Sequence, residues 1–162
     1  MRPSRRRRIS TKNGIDSTLK KVYVQSGLVL AAFRNFPLRG HPLAFKAAEA
    51  AECAGEQGQF WGMHDRFFSD QAHLDDSMLL RHATDLNLDV RRWQSCRATE
   101  ARSLVQRDLE EAQALNIPST PVFLVGTTQA DGRLKVQSVL RGARPAEEFR
   151  AALDKALLGS RR

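Results

Sequence analysis

Ile117-Pro118-Ser119-Thr120-Pro121-Val122-Phe123 closes a helical pattern and opens a strand. Pro121 stands directly before the apolar run Val122-Phe123-Leu124-Val125. A proline cannot donate to a sheet ladder, so it belongs at a strand's first residue or on an edge. An X-Pro amide has only a small preference for trans, which makes Thr120-Pro121 a candidate cis bond, with an ordinary trans proline at a strand start as the alternative. A cis bond there would turn backbone polar groups outward, at a neighbouring surface.

Working outward from that corner, Ala130-Asp131-Gly132 is a turn signal and Leu134 to Leu140 reads as a second strand, so the two strands form an antiparallel hairpin. Gly142 ends it, and Pro145 begins a last helix that buries Phe149, Ala152, Leu153, Ala156 and Leu157. Upstream lies a long helix with Ala101, Leu104, Val105, Ala112 and Leu115 in register. Asp89 caps a short helix that brings Trp93 and ends near Cys96, and Asp75 or Asp76 caps one carrying Met78, Leu79, Ala83 and Leu86. Ala44, Ala47, Ala48, Ala51 and Ala54 recur at helical spacing, and small side chains let such a helix approach its neighbours closely. After a break at Gly55 and Gly58, a further helix places Phe60, His64, Phe67 and Phe68 on one face, where His64 reads as a hydrogen-bonded core histidine. Leu28-Val29-Leu30-Ala31-Ala32-Phe33 has the continuous apolar character of a strand buried on both faces, with Arg34-Asn35-Phe36-Pro37-Leu38 leaving it. A parallel crossover from 28–36 to 121–125 through the helical block is therefore expected. A short helix with Leu19, Val22 and Tyr23 precedes that strand and stops at Gly27.

The order of elements is α/β, a sandwich with a helical insertion at about 41–115, in a domain spanning 16–159. Length and composition agree. The chain has 162 residues, 41% of them hydrophobic and 27% charged, which suits a single globular domain. No run of about 18 apolar residues is present, so no membrane span is expected. The net charge of +8 is concentrated at one end. Residues 1–21 hold eight Lys/Arg against Asp16, which leaves the rest near neutral. Residues 1–15 read as a disordered basic tail, and no aromatic interleaving or basic recognition helix marks it as a nucleic-acid arm. Its basic start is followed by Ile9-Ser10-Thr11-Lys12-Asn13-Gly14 in place of an apolar segment, so no signal peptide is expected and the compartment stays open, cytoplasmic by default.

The cysteines are Cys53 and Cys96, with no Cys-x-x-Cys pair. His41, His64, His73 and His82 show no metal spacing, and no metal or cofactor is expected. Two inert thiols, a structural disulfide and a redox pair are the three readings of the cysteines. Cys53 lies off the alanine stripe, so it faces either solvent or the helices that carry Cys96.

Several motifs in order carry a resemblance. Phe33-Arg34-Asn35-Phe36-Pro37-Leu38, His41-Pro42 before the alanine-rich helix, Gln57-Gly58-Gln59-Phe60-Trp61 with His64-Asp65, and Ser119-Thr120-Pro121-Val122-Phe123 resemble the DsbA-like thiol-disulfide oxidoreductases of thioredoxin fold. The resemblance covers residues 17–158. It implies that Thr120-Pro121 is cis, that Ser119, Thr120 and Pro121 bind the extended backbone of protein or peptide substrates with thiols or disulfides, and that the family setting is periplasmic or extracytoplasmic. It also brings Cys53 and Cys96 close to the second, structural disulfide of some members. In that family a strand leads to a Cys-x-x-Cys at a helix N-terminus, where the dipole stabilises a thiolate. Here that first strand is missing and so is the motif. Its place falls near Arg2-Pro3-Ser4-Arg5, which looks like a Cys-Pro-Ser-Cys site with arginine at both cysteine positions. The expectation is a truncated or degenerate member, impaired in protein thiol-disulfide exchange and with no catalytic residue of its own. The alternatives are a non-catalytic peptide-binding module using the proline loop and, more weakly, a glutathione-using relative.

Overall fold

The structure, a computed structural model, describes residues 17–159. The expectations for the tail, including Arg2 and Arg5, fall outside them. The described chain divides into two units, residues 31–117 and residues 17–30 with 118–159.

The first unit is helical: α2 (Ala44–Gly55), α3 (Phe60–Ser69), α4 (Asp76–Asp85), α5 (Val90–Thr99) and α6 (Ala101–Ala114). Alanine explains why α2 lies at its centre. Ala47, Ala48, Ala50, Ala51 and Ala54 are all buried, and α3, α4, α5 and α6 each pack against this one slender helix. Phe60, Met63, Phe67, Leu79, Ala83, Trp93 and Ala101 complete its core. Trp93 is 1% exposed and satisfies its indole N–H by donating to the Ala50 carbonyl at 3.0 Å. Local capping chemistry sets two helix starts. The Asp75 carboxylate accepts from the Ser77 and Met78 amides to begin α4, and Asp89 accepts from the Arg92 amide to begin α5.

The second unit opens with α1 (Ser17–Leu19), which widens at once into a π-helical turn, Lys20–Gln25, and stops at Gly27 with φ +80°. The antiparallel pair β1 (Val122–Thr128) and β2 (Leu134–Arg141) follows, and then α7 (Ala146–Gly159). Val122 pairs with Arg141, Phe123 with Leu140 and Thr128 with Leu134, with an irregularity at Val125/Gly126. The turn forms where the sequence places it, with Gly132 at φ +83°. α7 packs on the hairpin through Phe149, which meets Phe123 edge-on at 4.8 Å. Leu19 and Tyr23 join that core, and the Tyr23 hydroxyl donates to Asp154 at 2.7 Å.

One expected element does not form. Residues 28–36 join no ladder, and the described sheet has only β1 and β2, so the parallel crossover is not made. The apolar pattern is that of an interior strand, and an interior strand needs a neighbour to take its N–H and C=O groups. No described segment pairs with it, and Leu28 and Leu30 remain more than half exposed. Its far end is fastened by side chains instead, at Asn35.

Candidate functional site

α6 ends with Asn116 at φ +51°, and the Ile117 amide donates to the Ala112 carbonyl at 3.0 Å. The chain then turns into the second unit at Pro118. The Thr120–Pro121 bond is cis. The Pro121 carbonyl accepts from the Gly142 amide at 2.8 Å, which places the loop's exit one step before the Val122–Arg141 pair. Gly142 has φ +76°, so this closing contact uses a backbone conformation that glycine adopts without steric penalty. Ser119, Thr120 and Pro121 are all exposed, and neither Ser119 nor Thr120 is hydrogen-bonded among the described residues. β1 pairs with β2 along one edge, and no third strand among the described residues takes the other. In an antiparallel ladder alternate residues aim their N–H and C=O groups away from the partner. β1 therefore presents a row of main-chain donors and acceptors that begins at the proline loop. It carries no charge between Val122 and Thr128.

The structure joins Cys53 and Cys96, S–S 2.05 Å and Cα–Cα 5.7 Å. Of the two directions open to Cys53, the one toward the helices holds. α2 is buried on so much of its surface that Cys53 is 0% exposed, while Cys96 on α5 is half-buried. His64 is buried as expected. Phe33, Phe60, Trp61 and Phe68 surround its ring at 4.4–6.1 Å, its Nδ1 lies 3.1 Å from Asp65, and burial pushes its pKa down despite that carboxylate. Among the described residues no cluster of three or more histidine, cysteine or carboxylate side chains is placed to hold a metal ion.

A buried polar centre is the part that sequence reasoning missed. Asn35 is 4% exposed. Its side-chain amide donates to Glu52 Oε1 at 2.6 Å and to Asp108 Oδ2 at 3.0 Å, and its backbone N–H donates to the same Asp108 oxygen at 2.8 Å. Arg34 approaches from outside, 3.8 Å from Asp108 and 3.2 Å from Glu111. Burial raises the Asp108 pKa even though Asn35 and Arg34 both pull it down. The centre ties the segment after residue 31 to α2 and α6. The sequence signal was the polar pair Arg34-Asn35 set between Phe33 and Phe36.

A family model for thioredoxin matches residues 11–155. The chain belongs to the thioredoxin family. Among solved structures, this thioredoxin-family chain is similar to alpha-DsbA1 of Wolbachia pipientis, with a TM-score of 0.72, 21% identity, and 91% of this chain and 77% of that one covered. It is also similar to the thiol-disulfide exchange protein alpha-DsbA2 of the same organism, with a TM-score of 0.66, 18% identity, and 83% and 69% covered. The fold is thus that of the DsbA-like proteins. Among curated relatives, a Na(+)/H(+) antiporter, NhaA 3 of Salinispora tropica, is 32% identical over 126 residues, 76% of this chain and 19% of the relative. The chain spans about a fifth of the length of the curated relatives it matches. No helix among the described residues is long and apolar enough to cross a membrane.

Proposed function

We propose that this thioredoxin-family chain binds extended polypeptide along the open edge of β1, entering at Ser119, Thr120 and Pro121, and that it is impaired in the dithiol exchange associated with its DsbA-like relatives in fold. The observation that carries the reading is the uncharged strand edge whose main-chain groups start at an exposed loop in which Ser119 and Thr120 make no hydrogen bond among the described residues. Strand addition draws affinity from such groups and selectivity from alternate side chains. The impairment rests on the sulfur inventory. The 162 residues hold two cysteines, 43 positions apart and bonded to each other across two helices, so no dithiol sits at a helix N-terminus where a lowered pKa would activate it.

Two assays test the halves separately. Insulin reduction with this chain is expected at background, and turnover that survives Cys53→Ser would overturn the impairment. Titration with a cysteine-free extended peptide is expected to show binding that weakens when Leu124 is replaced by Asp. No binding to any unfolded or extended peptide would remove the recognition half.

The match to a fifth of proteins named as antiporters favours a second reading, in which the polypeptide recognised belongs to a Na(+)/H(+) antiporter. Crosslinking of this chain to such an antiporter in membranes, lost in the Leu124→Asp variant, tests it.

A further inference from the structure

Arg92, Cys96 and Glu100 follow one another at intervals of four residues along α5 and its C-cap, which puts them on one face about 6 Å apart per step. A cleft of about 220 Å³ opens over that face, lined by Arg92, Ser95, Cys96, Thr99 and Glu100 and closed by Glu56 from the end of α2. The cleft holds one cation, Arg92, and two carboxylates, Glu100 and Glu56, with the hydroxyls of Ser95 and Thr99 and the disulfide-bonded Cys96 between Arg92 and Glu100. Among the described residues neither the Arg92 guanidinium nor the Glu100 carboxylate has an ion-pair partner. The other half of the disulfide, Cys53, is sealed in the core of α2. A reagent arriving from solvent meets Cys96 and not Cys53.

We propose that this cleft is a site for a low-molecular-weight peptidic thiol, held with a carboxylate on Arg92 and an ammonium on Glu100, that exchanges with the disulfide at Cys96. Arg92 and Glu100 lie about 12 Å apart along the helix, with Cys96 midway. That arrangement suits a short peptide whose central residue carries the thiol, with a carboxylate at one end and an ammonium at the other. The site lies wholly in the helical unit, and the proposal does not rest on polypeptide binding at β1.

The step balances with the thiol alone as co-reactant. The incoming thiolate attacks Cys96 Sγ and forms a new S–S bond as the Cys53–Cys96 bond breaks. The incoming sulfur and Cys96 end as a mixed disulfide, and Cys53 leaves as the reduced partner. Cys53 leaves as a thiolate and takes up one proton from water to end as the thiol. A second thiol attacking the mixed disulfide releases the oxidised dimer of the small thiol and leaves both cysteines reduced.

The test uses the full oxidised chain under native conditions at pH 7.5 with glutathione, followed by acid quench, alkylation of free thiols and peptide mass spectrometry. The expected product carries glutathione on Cys96 and the alkyl label on Cys53. Rates are then compared with cysteamine, 3-mercaptopropionate and neutral 2-mercaptoethanol, each corrected for its thiolate fraction. Glutathione is expected to react fastest. Arg92→Gln and Glu100→Gln are each expected to slow glutathione about two- to fivefold, the scale of an exposed ion pair, and to leave 2-mercaptoethanol unchanged, while Arg92→Lys retains the rate. An adduct on Cys53, no adduct without denaturant, or glutathione rates indifferent to both charges would overturn the proposal.

Discussion

Replacing Asn35 by alanine removes a side chain that serves the buried Glu52 and the part-buried Asp108 at once. The loss is two hydrogen bonds to acceptors that carry charge when ionised, at 2.6 Å to Glu52 and 3.0 Å to Asp108. Hydrogen bonds of that kind contribute about 1.5–3 kcal/mol each. Asp108 keeps the residue-35 backbone N–H and the approach of Arg34, which caps the damage, so the expected cost is about 2–4 kcal/mol at pH 7.5. The pH dependence gives the sharper check. Burial already raises the Asp108 pKa in the folded state. A carboxyl with a raised folded pKa takes up its proton in the native state first, so its contribution to stability is fully present below the ordinary carboxylate value and is lost as pH rises through the folded value. Without Asn35 the ionised form loses a donor and the folded value climbs further. The destabilisation should therefore be larger at pH 7.5 than at pH 4.5. Urea unfolding of both proteins at the two pH values, read by far-UV circular dichroism, measures it. A difference below about 1 kcal/mol at pH 7.5, or one that grows on acidification, would refute the account of Asn35 as a donor to charged partners.

Three further outcomes follow from the same chain. Removing the disulfide with Cys53→Ala and Cys96→Ala together opens a loop set by a separation of 43 residues and should cost about 4 kcal/mol by chain entropy, with reduced wild-type protein shifting by a similar amount in a thermal melt. His82 is buried with neither ring nitrogen bonded among the described residues, and burial pushes its pKa down, so stability should fall as pH drops below the ordinary histidine value. His82→Leu should add about 1–2 kcal/mol and flatten the part of that decline due to His82, as followed by denaturant midpoints from pH 7.5 to 5. A Cβ on Gly126 would fall 2.0 Å from the Lys135 carbonyl oxygen, so Gly126→Ala should shift the hairpin and cost more than about 2 kcal/mol, visible as accelerated amide exchange in β1 and β2.

Elements fixed by chemistry within a few residues were legible in the sequence. Asp75 and Asp89 cap helices because their carboxylates reach amides two or three positions on, and Gly132 turns the hairpin through its own φ. The alanine helix was legible as a helix, but its central position was not. That depends on α3, α4, α5 and α6 converging on it, and it is why Cys53 could be read as facing solvent. Residues 28–36 show the opposite failure. Their apolar run specifies what a strand would bury, and it does not supply the neighbour whose hydrogen bonds make a strand. At the candidate site the proline loop was read from its local motif, whereas the Asn35 centre draws on partners 17 and 73 positions away. The charged face around Cys96 was equally hidden. Arg92 and Glu100 look like ordinary surface residues until the cleft is seen above them.

α2 and α5 are joined twice in the same register: Trp93 bonds to Ala50, and three residues on in each helix Cys96 bonds to Cys53. The indole thus sits within a turn of the disulfide, shielded from water in a fixed orientation. A disulfide accepts an electron from an excited indole at such range. The emission of Trp93 should be dim while the bond is intact and brighten when it opens, so the molecule carries its own optical gauge of whether the two helices are covalently joined.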